Sequence, residues 1–378
     1  MRRTPVRAKK QKSSVKKRKT KTSKKKAKTT ICKDPLKEYQ EVIKKGGNAR
    51  VAALGNEDNP ATVSHWFTTQ SLELDRLLGG RGIPAGRVTE IFGPAFIGKS
   101  TVLDHILAGC QRQGGVAVLA DVEIARDVNY SRSIGVDPAK LQYLDFERGK
   151  LTMENVFDKI EDTVDFWASK YPDTPVVIGY DSIGGTPTSD EVDKRLGAEG
   201  DDKKKNTKPG AAAKVLRTVH RKLLGKLGGT KIAVVFCNHE YETIQMGGRP
   251  GKKRETYGGE AIRLAASCRI ELFNLGWIKK GDGVIVGRKV GARLIKWRFG
   301  TPWLDTEIAI LPGVGVDNTW AVFERLRKAG IIVTKGSWSE MNLDGEILKF
   351  QGWNGLVTKM QEDETLFPRL VSVFQQLG

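Results

Sequence analysis

The sequence predicts an α/β fold in which a mostly parallel, doubly wound sheet lies between helices, with smaller appendages at both ends. Short apolar runs alternate with amphipathic stretches from about residue 67 onwards. The 378 residues exceed the length of one small domain, and 39% of them are hydrophobic, which is enough for a sizeable core. Apolar runs separated by helices are typical of parallel strands covered on both faces, and this pattern fits any doubly wound sheet.

The elements follow in chain order. Asp34 as N-cap, Pro35 in the first turn and Gly46–Gly47 at the end predict a short helix, which a strand at 48–55 follows. Further strands are predicted at 86–93, 116–121, 175–182 and 231–239, and helices at 100–115, 153–171, 319–330 and 364–377. The helix at 100–115 carries an apolar face of Val102, Leu103, Ile106, Leu107 and Cys110.

This pattern divides the chain into four parts. We expect a basic arm at 1–33, an N-terminal module at 34–66, the α/β core at 67–311 and a small C-terminal α/β domain at 312–378. Two long polar stretches, 186–210 and 240–259, interrupt the alternation and are rich in Lys and Arg. Loops of this length in a compact domain are usually functional or disordered.

Residues 1–31 hold fifteen Lys and Arg residues and no Asp or Glu, so most of the net charge of +20 lies there. Such an arm is typical of tails that bind nucleic-acid phosphates through counterion release. A solubility tail, or a nuclear or organellar address, fits the same composition. The chain has neither the apolar stretch of a secretory signal nor a run long enough to span a membrane, so we expect a cytoplasmic protein.

The cysteines point to a reducing compartment. Cys32, Cys110, Cys237 and Cys268 form no CxxC pair, and the four histidines do not cluster with them. We therefore expect neither a zinc site nor a disulfide framework.

A phosphate-binding motif follows the strand at 86–93. Residues 93–101, GPAFIGKST, match G-x-x-x-x-G-K-[ST] between a strand and a helix, the setting that confirms this motif as a nucleotide phosphate-binding loop. Gly93 and Gly98 let successive N–H groups face one phosphate cluster, and the helix N-terminus adds positive charge. Lys99 is expected to neutralise the phosphates, and Ser100 to bind Mg²⁺. The whole predicted loop comprises Gly93, Pro94, Ala95, Phe96, Ile97, Gly98, Lys99, Ser100 and Thr101.

Two carboxylates follow later strands. Asp181 ends the apolar run at 175–182, where it fits an outer magnesium ligand or an ordinary cap. Glu123 comes just after the strand at 116–121. Because the carboxyl ends of strands line the ligand crevice of such sheets, Glu123 fits a residue that polarises the attacking water; a surface charge or salt bridge fits equally well.

Three segments resemble the RecA family of recombinases. They are TTQSLELDRLLGGRGIPAGRVTEIFGPAFIGKST (68–101), DVEIARDVNYSRSIGVD (121–137) and ETYGGEAIRLAASCRIEL (255–272). The resemblance runs from about Asp34 to about Leu377 and excludes only the basic arm. It implies a RecA-type P-loop ATPase core, an N-terminal oligomerisation helix and strand, and a small C-terminal α/β domain.

The resemblance also implies roles for single residues. Glu123 matches the carboxylate that activates water, and Asp127 and Tyr130 match the residues that hold the adenine. His239 stands where cellular members have a glutamine that senses the γ-phosphate, and a histidine there resembles the phage recombinase UvsX.

Lys296 and Arg298 match a pair of lysines that reach the γ-phosphate of the neighbouring subunit. Arginine keeps the charge and adds bidentate geometry, so the pair would act as arginine fingers do. Without the resemblance, a charged strand edge would be the simpler interpretation.

The two long polar stretches match the DNA-binding loops of the family. Ile244 and Met246 are candidates for apolar wedges between base steps. The candidates for phosphate contacts are Lys203, Lys204, Lys205, Arg249, Lys252, Lys253 and Arg254. The implied partners are single- and double-stranded DNA, further copies of the chain in a helical filament, and single-strand-binding and loader proteins at the nucleoid.

The chain departs from the family pattern in three places. Phe96 and Ile97 replace small residues of the phosphate loop, which predicts altered nucleotide affinity or turnover. The first DNA loop is longer and more basic. An acidic C-terminal tail is replaced by the basic N-terminal arm, which predicts readier binding to duplex DNA.

The expected function is therefore a DNA-dependent ATPase that forms filaments on single strands and exchanges strands in recombinational repair, within the DNA-damage (SOS) response. A hexameric helicase of the same fold shares the phosphate loop and Asp181, and would form closed rings. A non-catalytic regulatory paralogue would not need Lys99, Glu123 and Asp181 together.

Overall fold

The computed structural model describes residues 35–45, 47, 59–192, 211–244, 252–279 and 283–377. The chain divides into two compact units, Met1–Ala53 and Leu54–Gly378. The described part of the first unit contains helix α1 (Pro35–Lys45), which confirms the predicted N-terminal helix. The strand predicted at 48–55 lies outside the described residues.

Every strand and helix predicted for the second unit beyond residue 67 is present, and further short elements lie between them. Its strands are β1 (Trp66–Phe67), β2 (Ile83–Pro84), β3 (Val88–Gly93), β4 (Val116–Asp121), β5 (Gln142–Tyr143), β6 (Val176–Asp181), β7 (Ile232–Ile244), β8 (Lys252–Thr256), β9 (Cys268–Lys279), β10 (Ile285–Trp297), β11 (Asp305–Leu311), β12 (Gly315–Val316), β13 (Val333–Lys335), β14 (Trp338–Leu343) and β15 (Glu346–Phe350). Its helices are α2 (Leu72–Leu77), α3 (Lys99–Arg112), α4 (Val128–Ile134), α5 (Met153–Lys170), α6 (Ser189–Val192), α7 (Ala211–Leu227), α8 (Glu260–Ala265), α9 (Asn318–Lys328), α10 (Gly352–Glu362) and α11 (Leu366–Gln376).

The central sheet confirms the predicted α/β class. Its strand order is β12-β11-β10-β9-β3-β7-β6-β4-β5, with β8 paired to β7. Strands β9, β3, β7, β6, β4 and β5 are parallel to one another. The sheet becomes antiparallel from β9 to β12, because β9 and β10 are joined by a short connection that only antiparallel neighbours allow.

Helices cover both faces of the parallel strands, as the continuous apolar runs predict. The predicted apolar face of α3 is fully buried in one cluster, and α5 and α7 bury the other face of the sheet. Every residue of β3 and β6 is buried, which is typical of strands with helices on both sides.

The prediction of a loop from 240 to 259 is wrong in part. Strand β7 continues through Ile244 and pairs antiparallel with β8, from Glu240 opposite Thr256 to Ile244 opposite Lys252. Tyr241, Thr243 and Ile244 are strong strand formers, and they allow β7 to extend beyond the core as one arm of a two-stranded ribbon.

The C-terminal segment packs three helices against a small sheet. Strands β13, β14 and β15 are antiparallel, and Leu326 of α9, Leu356 of α10 and Leu370 of α11 are buried against them. Leu72 of α2 contacts the same cluster, and Leu54–Gly378 forms one compact unit. Among the described residues, no helix combines the length and apolarity that a membrane crossing requires.

His220 of α7 is a buried imidazole that the core holds in its neutral form. Its side chain packs edge-on against Phe157 and near Phe236, and in the described residues neither ring nitrogen has a hydrogen-bond partner. Burial lowers the pKa of His220 from 6.5 to about 4. Burial also lowers the pKa of His105 to about 4, and its Nε2 accepts a hydrogen bond from the Val316 N–H at 2.8 Å.

We expect the protein to lose stability as the pH falls from about 6.5 towards 4. The unfolded chain binds a proton at each histidine near pH 6.5, whereas the folded chain does not until about pH 4, so protons favour unfolding in that window. His220→Leu should flatten the slope by up to about 1.4 kcal/mol per pH unit. Urea unfolding at several pH values measures this, and a slope equal to that of the wild type would contradict it.

Candidate functional site

The connection between β3 and α3 has the shape that the phosphate motif predicts. Strand β3 ends at Gly93, and Gly98 caps α3 in the left-handed conformation with φ +105°. No acidic residue lies in the first turn of α3, so nothing in that turn offsets the positive charge of the helix N-terminus. This end of the helix is therefore ready to bind an anion.

Both glycines of the motif have a positive φ, and each lies close to a neighbouring strand. A Cβ at Gly93 would lie 2.3 Å from the carbonyl oxygen of Leu272, and a Cβ at Gly98 would lie 2.3 Å from Cδ1 of Ile310. The loop therefore packs directly on β9 and β11, which fixes the position of its backbone N–H groups.

The two unusual apolar residues of the loop take opposite positions. Ile97 is 2% exposed and belongs to the main core, whereas Phe96 is 94% exposed and has φ +59°. The carbonyl oxygen of Phe96 accepts a hydrogen bond from Nη1 of Arg288 at 2.7 Å, and Arg288 stacks on the ring of Trp277. Strand β10 thus holds the tip of the phosphate loop.

Lys99 lies inside its own loop. Its Nζ donates to the carbonyl oxygens of Gly93, at 3.2 Å, and Pro94, at 2.8 Å. Burial lowers the pKa of Lys99, and the negative charges of Asp181 and Glu123 oppose that effect. An ammonium group in this position can neutralise phosphate oxygens bound by the loop.

A cleft of about 400 Å³ opens beside the loop at the carboxyl ends of β4 and β6. The structure brings six of the predicted residues together around it, and adds others. The lining residues are Ser100, Thr101, Asp104, Asp121, Glu123, Ala125, Arg126, Asp127, Tyr130 and Asp181.

Glu123 is held by two hydrogen bonds. Its Oε1 accepts from Oγ of Ser182 at 2.6 Å and lies 3.0 Å from Nε2 of His239. Burial alone would raise the pKa of Glu123, but the hydrogen bonds to His239 and Ser182, together with the charges of His239 and Lys99, lower it. The carboxylate is therefore ionised at neutral pH, as a group that accepts a proton from water must be.

His239 connects the cleft to the ribbon. It stands opposite Gly93 in the register of β3 and β7, and β7 runs without interruption from the core through His239 to Ile244. A displacement of His239 at the cleft would therefore act on the same strand that forms the ribbon. Sequence reasoning placed His239 near the γ-phosphate but did not predict its contact with Glu123.

Two residues predicted to hold adenine line the outer part of the cleft. Asp127 caps α4, since its Oδ1 accepts from the N–H of Asn129 at 2.8 Å, and Tyr130 Oη lies 3.2 Å from Oγ1 of Thr101. Their contact with a base stays a prediction.

Sequence reasoning missed Arg126, Asp104 and Ser182. Nη2 of Arg126 donates to Oδ2 of Asp181 at 2.8 Å, and its Nη1 contacts Asp104. The structure buries Asp104 within α3, where a carboxylate requires a partner, but Asp104 lies off the apolar face that the sequence predicts for this helix.

Lys296 and Arg298 lie at the end of β10, which is antiparallel to β9, and so towards the side of the sheet where the parallel strands begin, away from the cleft at their carboxyl ends. Lys296 is paired with Arg269 of β9, and Arg298 N–H donates to the carbonyl oxygen of Ser267, which precedes β9. Lys296 Nζ donates to the carbonyl oxygens of Arg263, at 2.7 Å, and Leu264, at 3.0 Å. Neither residue lines the cleft of its own chain, so their predicted role requires a second copy.

The side chains predicted to contact DNA lie outside the described part of the structure. Lys203, Lys204, Lys205, Met246 and Arg249 lie outside the described residues. The structure describes only the backbone, and not the side chains, of four further residues in β7 and β8: Ile244, Lys252, Lys253 and Arg254.

A doubly wound sheet with a phosphate loop between its first long strand and a helix defines a P-loop nucleotide-binding protein. The family model of the RecA N-terminal domain matches residues 35–317. The RecA proteins of Brucella canis, Brucella abortus and Brucella suis are each 30% identical to the chain over 296 residues, which cover 78% of this chain and 76% of theirs. The chain belongs to the RecA family.

The packing around Gly93 predicts the effect of adding one methyl group. Gly93→Ala forces the loop away from the Leu272 carbonyl, so nucleotide affinity should fall at least about tenfold, or by about 1.4 kcal/mol. Gly114→Ala is the matched control, since Gly114 also has a positive φ but nothing lies within 4 Å of its added Cβ. It should lose about 1 kcal/mol of stability and keep its affinity. Equal affinities of the two variants for a fluorescent ATP analogue would contradict the packing argument.

Proposed function

We propose that the protein is a DNA-dependent ATPase that polymerises on single-stranded DNA, pairs it with homologous duplex and exchanges strands in recombinational repair. The observation that carries this proposal is the contact between Glu123 of the cleft and His239, whose strand continues into the ribbon. It supports coupling between nucleotide and DNA, and such coupling is reciprocal because each ligand changes the affinity for the other by the same factor.

The residues of the cleft fit MgATP. The loop N–H groups and Lys99 suit the phosphates, and the Ser100 hydroxyl and Asp181 carboxylate are the oxygen donors that Mg²⁺ prefers. Magnesium bound there would neutralise charge on the β- and γ-phosphates. Glu123 would orient a water molecule and take its proton, while Ser182 and His239 keep the carboxylate in position.

Lys296 and Arg298 would complete the site of an adjacent copy. Their place away from the cleft of their own chain supports this, since a head-to-tail assembly brings one surface of each copy against a different surface of the next. Lys296 also contacts the C-terminal end of α8, the helix that follows the ribbon strand β8. Contacts with an adjacent copy, with nucleotide and with DNA would thereby be made by neighbouring elements of the fold.

The remaining partners follow from the same role. Leu36, Tyr39 and Val42 share one face of α1 by their spacing, which suits a helix that docks on a neighbouring copy. The basic loops and arm suit phosphate contacts without sequence readout, on single strands and duplex alike. We place the protein in the cytoplasm, at the nucleoid of a bacterium or of a phage-infected cell, with single-strand-binding and loader proteins and a role in the response to DNA damage.

Glu123→Gln tests the role of the carboxylate. Glutamine keeps an oxygen that accepts from Ser182 but is a very weak base, so ATP and DNA binding should persist while DNA-stimulated hydrolysis falls by about 10²–10⁴-fold. Glu147→Gln, an exposed substitution outside the cleft, should hydrolyse ATP at the wild-type rate. Normal turnover by Glu123→Gln would remove the residue from this role.

Mixing two inactive variants tests the shared site. Lys99→Ala lacks the cation of its own loop, and the Lys296→Ala, Arg298→Ala variant lacks the cations offered to a neighbour. An equal mixture on single-stranded DNA should recover about one quarter of the wild-type rate, the share of interfaces that pair two intact halves.

The triple variant Lys99→Ala, Lys296→Ala, Arg298→Ala is the control for this mixture. Combined with either parent variant, it forms no interface with two intact halves and should restore nothing. If the two parent variants also restore nothing together, although electron microscopy shows mixed filaments, the site is not shared between copies. Closed rings instead of filaments would favour a hexameric motor of the same fold.

A further inference from the structure

Arg126 places a guanidinium group in the cleft that the roles above do not use. It lies in the segment between β4 and α4, three residues after Glu123, and its side chain is 12% exposed. A charged group this far from solvent requires partners of opposite charge.

The need for a cation comes from the sheet itself. Asp121 and Asp181 end two adjacent parallel strands and stand opposite each other in their register, with side chains 5% and 7% exposed. Two carboxylates side by side in a buried position repel each other unless a cation lies between them.

Arg126 supplies that cation with both arms of its fork. Nη2 donates to Oδ2 of Asp181 at 2.8 Å, Nη1 contacts Asp104, and Nε lies 4.0 Å from Oδ2 of Asp121. Asp104 is fixed in turn, because its Oδ2 accepts from Oγ of Ser131 at 2.7 Å. One arm is thus anchored to α3, and the other holds the carboxylate that suits magnesium.

We propose that Arg126 is the internal counter-cation of Asp181 and competes with magnesium for it, so that Arg126 sets the Mg²⁺ concentration at which nucleotide binds. This inference rests on the proposed function, in which Asp181 serves the metal. The guanidinium binds Oδ2 of Asp181 by a charge-assisted hydrogen bond and offsets part of the charge of the carboxylate, so Asp181 attracts a hydrated Mg²⁺ less strongly. Arg126 is in this sense a positioning residue for Asp181.

The competition gives the cleft two states. Without magnesium, Arg126 neutralises part of the carboxylate cluster and keeps Asp181 at hydrogen-bonding distance. With magnesium bound, Asp181 would serve the metal, and Arg126 would keep its contact with Asp104. Nucleotide binding then requires more magnesium than a site with a free Asp181 would.

The double variant Asp104→Asn, Arg126→Gln tests this competition. It removes one negative and one positive charge, so the net charge of the cleft is unchanged, and the asparagine side chain keeps an oxygen that can accept from the Ser131 hydroxyl. Asp121 and Asp181 lose their cation in this variant, which should cost stability. Unfolding without nucleotide and magnesium measures whether the fold is intact.

The readout is binding of a fluorescent, non-hydrolysable ATP analogue across a buffered Mg²⁺ series. The Mg²⁺ concentration for half-maximal binding should fall about tenfold in the double variant, which corresponds to about 1.4 kcal/mol. The control Asp173→Asn, Lys231→Gln neutralises a salt bridge outside the cleft and should match the wild type. A merely structural role for Arg126 predicts weaker binding at every Mg²⁺ concentration with the same midpoint.

An unchanged midpoint in a folded double variant overturns the inference and leaves the proposed function standing. If the double variant does not fold, Arg126→Lys decides, because a lysine keeps the charge but loses the fork and should lower the midpoint by about threefold. An unchanged midpoint in Arg126→Lys would then overturn the inference. Wild-type protein that binds no nucleotide at any Mg²⁺ concentration would instead overturn the proposed function.

Discussion

The register of four parallel strands is the constraint on which the rest of this structure depends. Gly93 stands opposite His239 across β3 and β7, and Asp121 stands opposite Asp181 across β4 and β6. Because the carboxyl ends of these strands meet at one edge, the phosphate loop, the carboxylates and the histidine converge there. A shift of one residue in either pairing would turn these side chains to the other face of the sheet.

This convergence brings many negative charges close together. Five acidic residues line the cleft, and a nucleotide adds further negative charge. The positive groups near these carboxylates include the N-terminus of α3, Lys99 and Arg126. Both side chains already have partners within the protein: Lys99 holds its own loop carbonyls, and Arg126 holds Asp104 and Asp181. Under the proposed function, a nucleotide would replace some of these contacts.

The sequence predicted the fold and most of the cleft because both rest on local patterns. Apolar runs gave β3, β4 and β6 nearly to the residue, and the phosphate motif gave the loop and the start of α3. The length of β7 was missed because polar strands that leave the core lack an apolar signal. Arg126 was missed because its partners Asp104 and Asp181 lie 22 and 55 positions away, and pairing at that distance depends on strand order. Phe96 is exposed and Ile97 is buried although they are neighbours in one loop. The phosphate motif therefore does not predict which side chains of its variable positions are buried.

The proposed function requires a nucleotide that lies between adjacent copies of this chain and couples assembly to DNA. Electron cryomicroscopy of the full chain with single-stranded DNA, magnesium and a non-hydrolysable ATP analogue measures this directly. We expect helical filaments in which Lys99 and Glu123 approach the nucleotide from one side, and Lys296 and Arg298 of the partner subunit approach it from the other. Closed rings, or a nucleotide contacted by a single copy with Lys296 and Arg298 turned away from it, would contradict the proposed function.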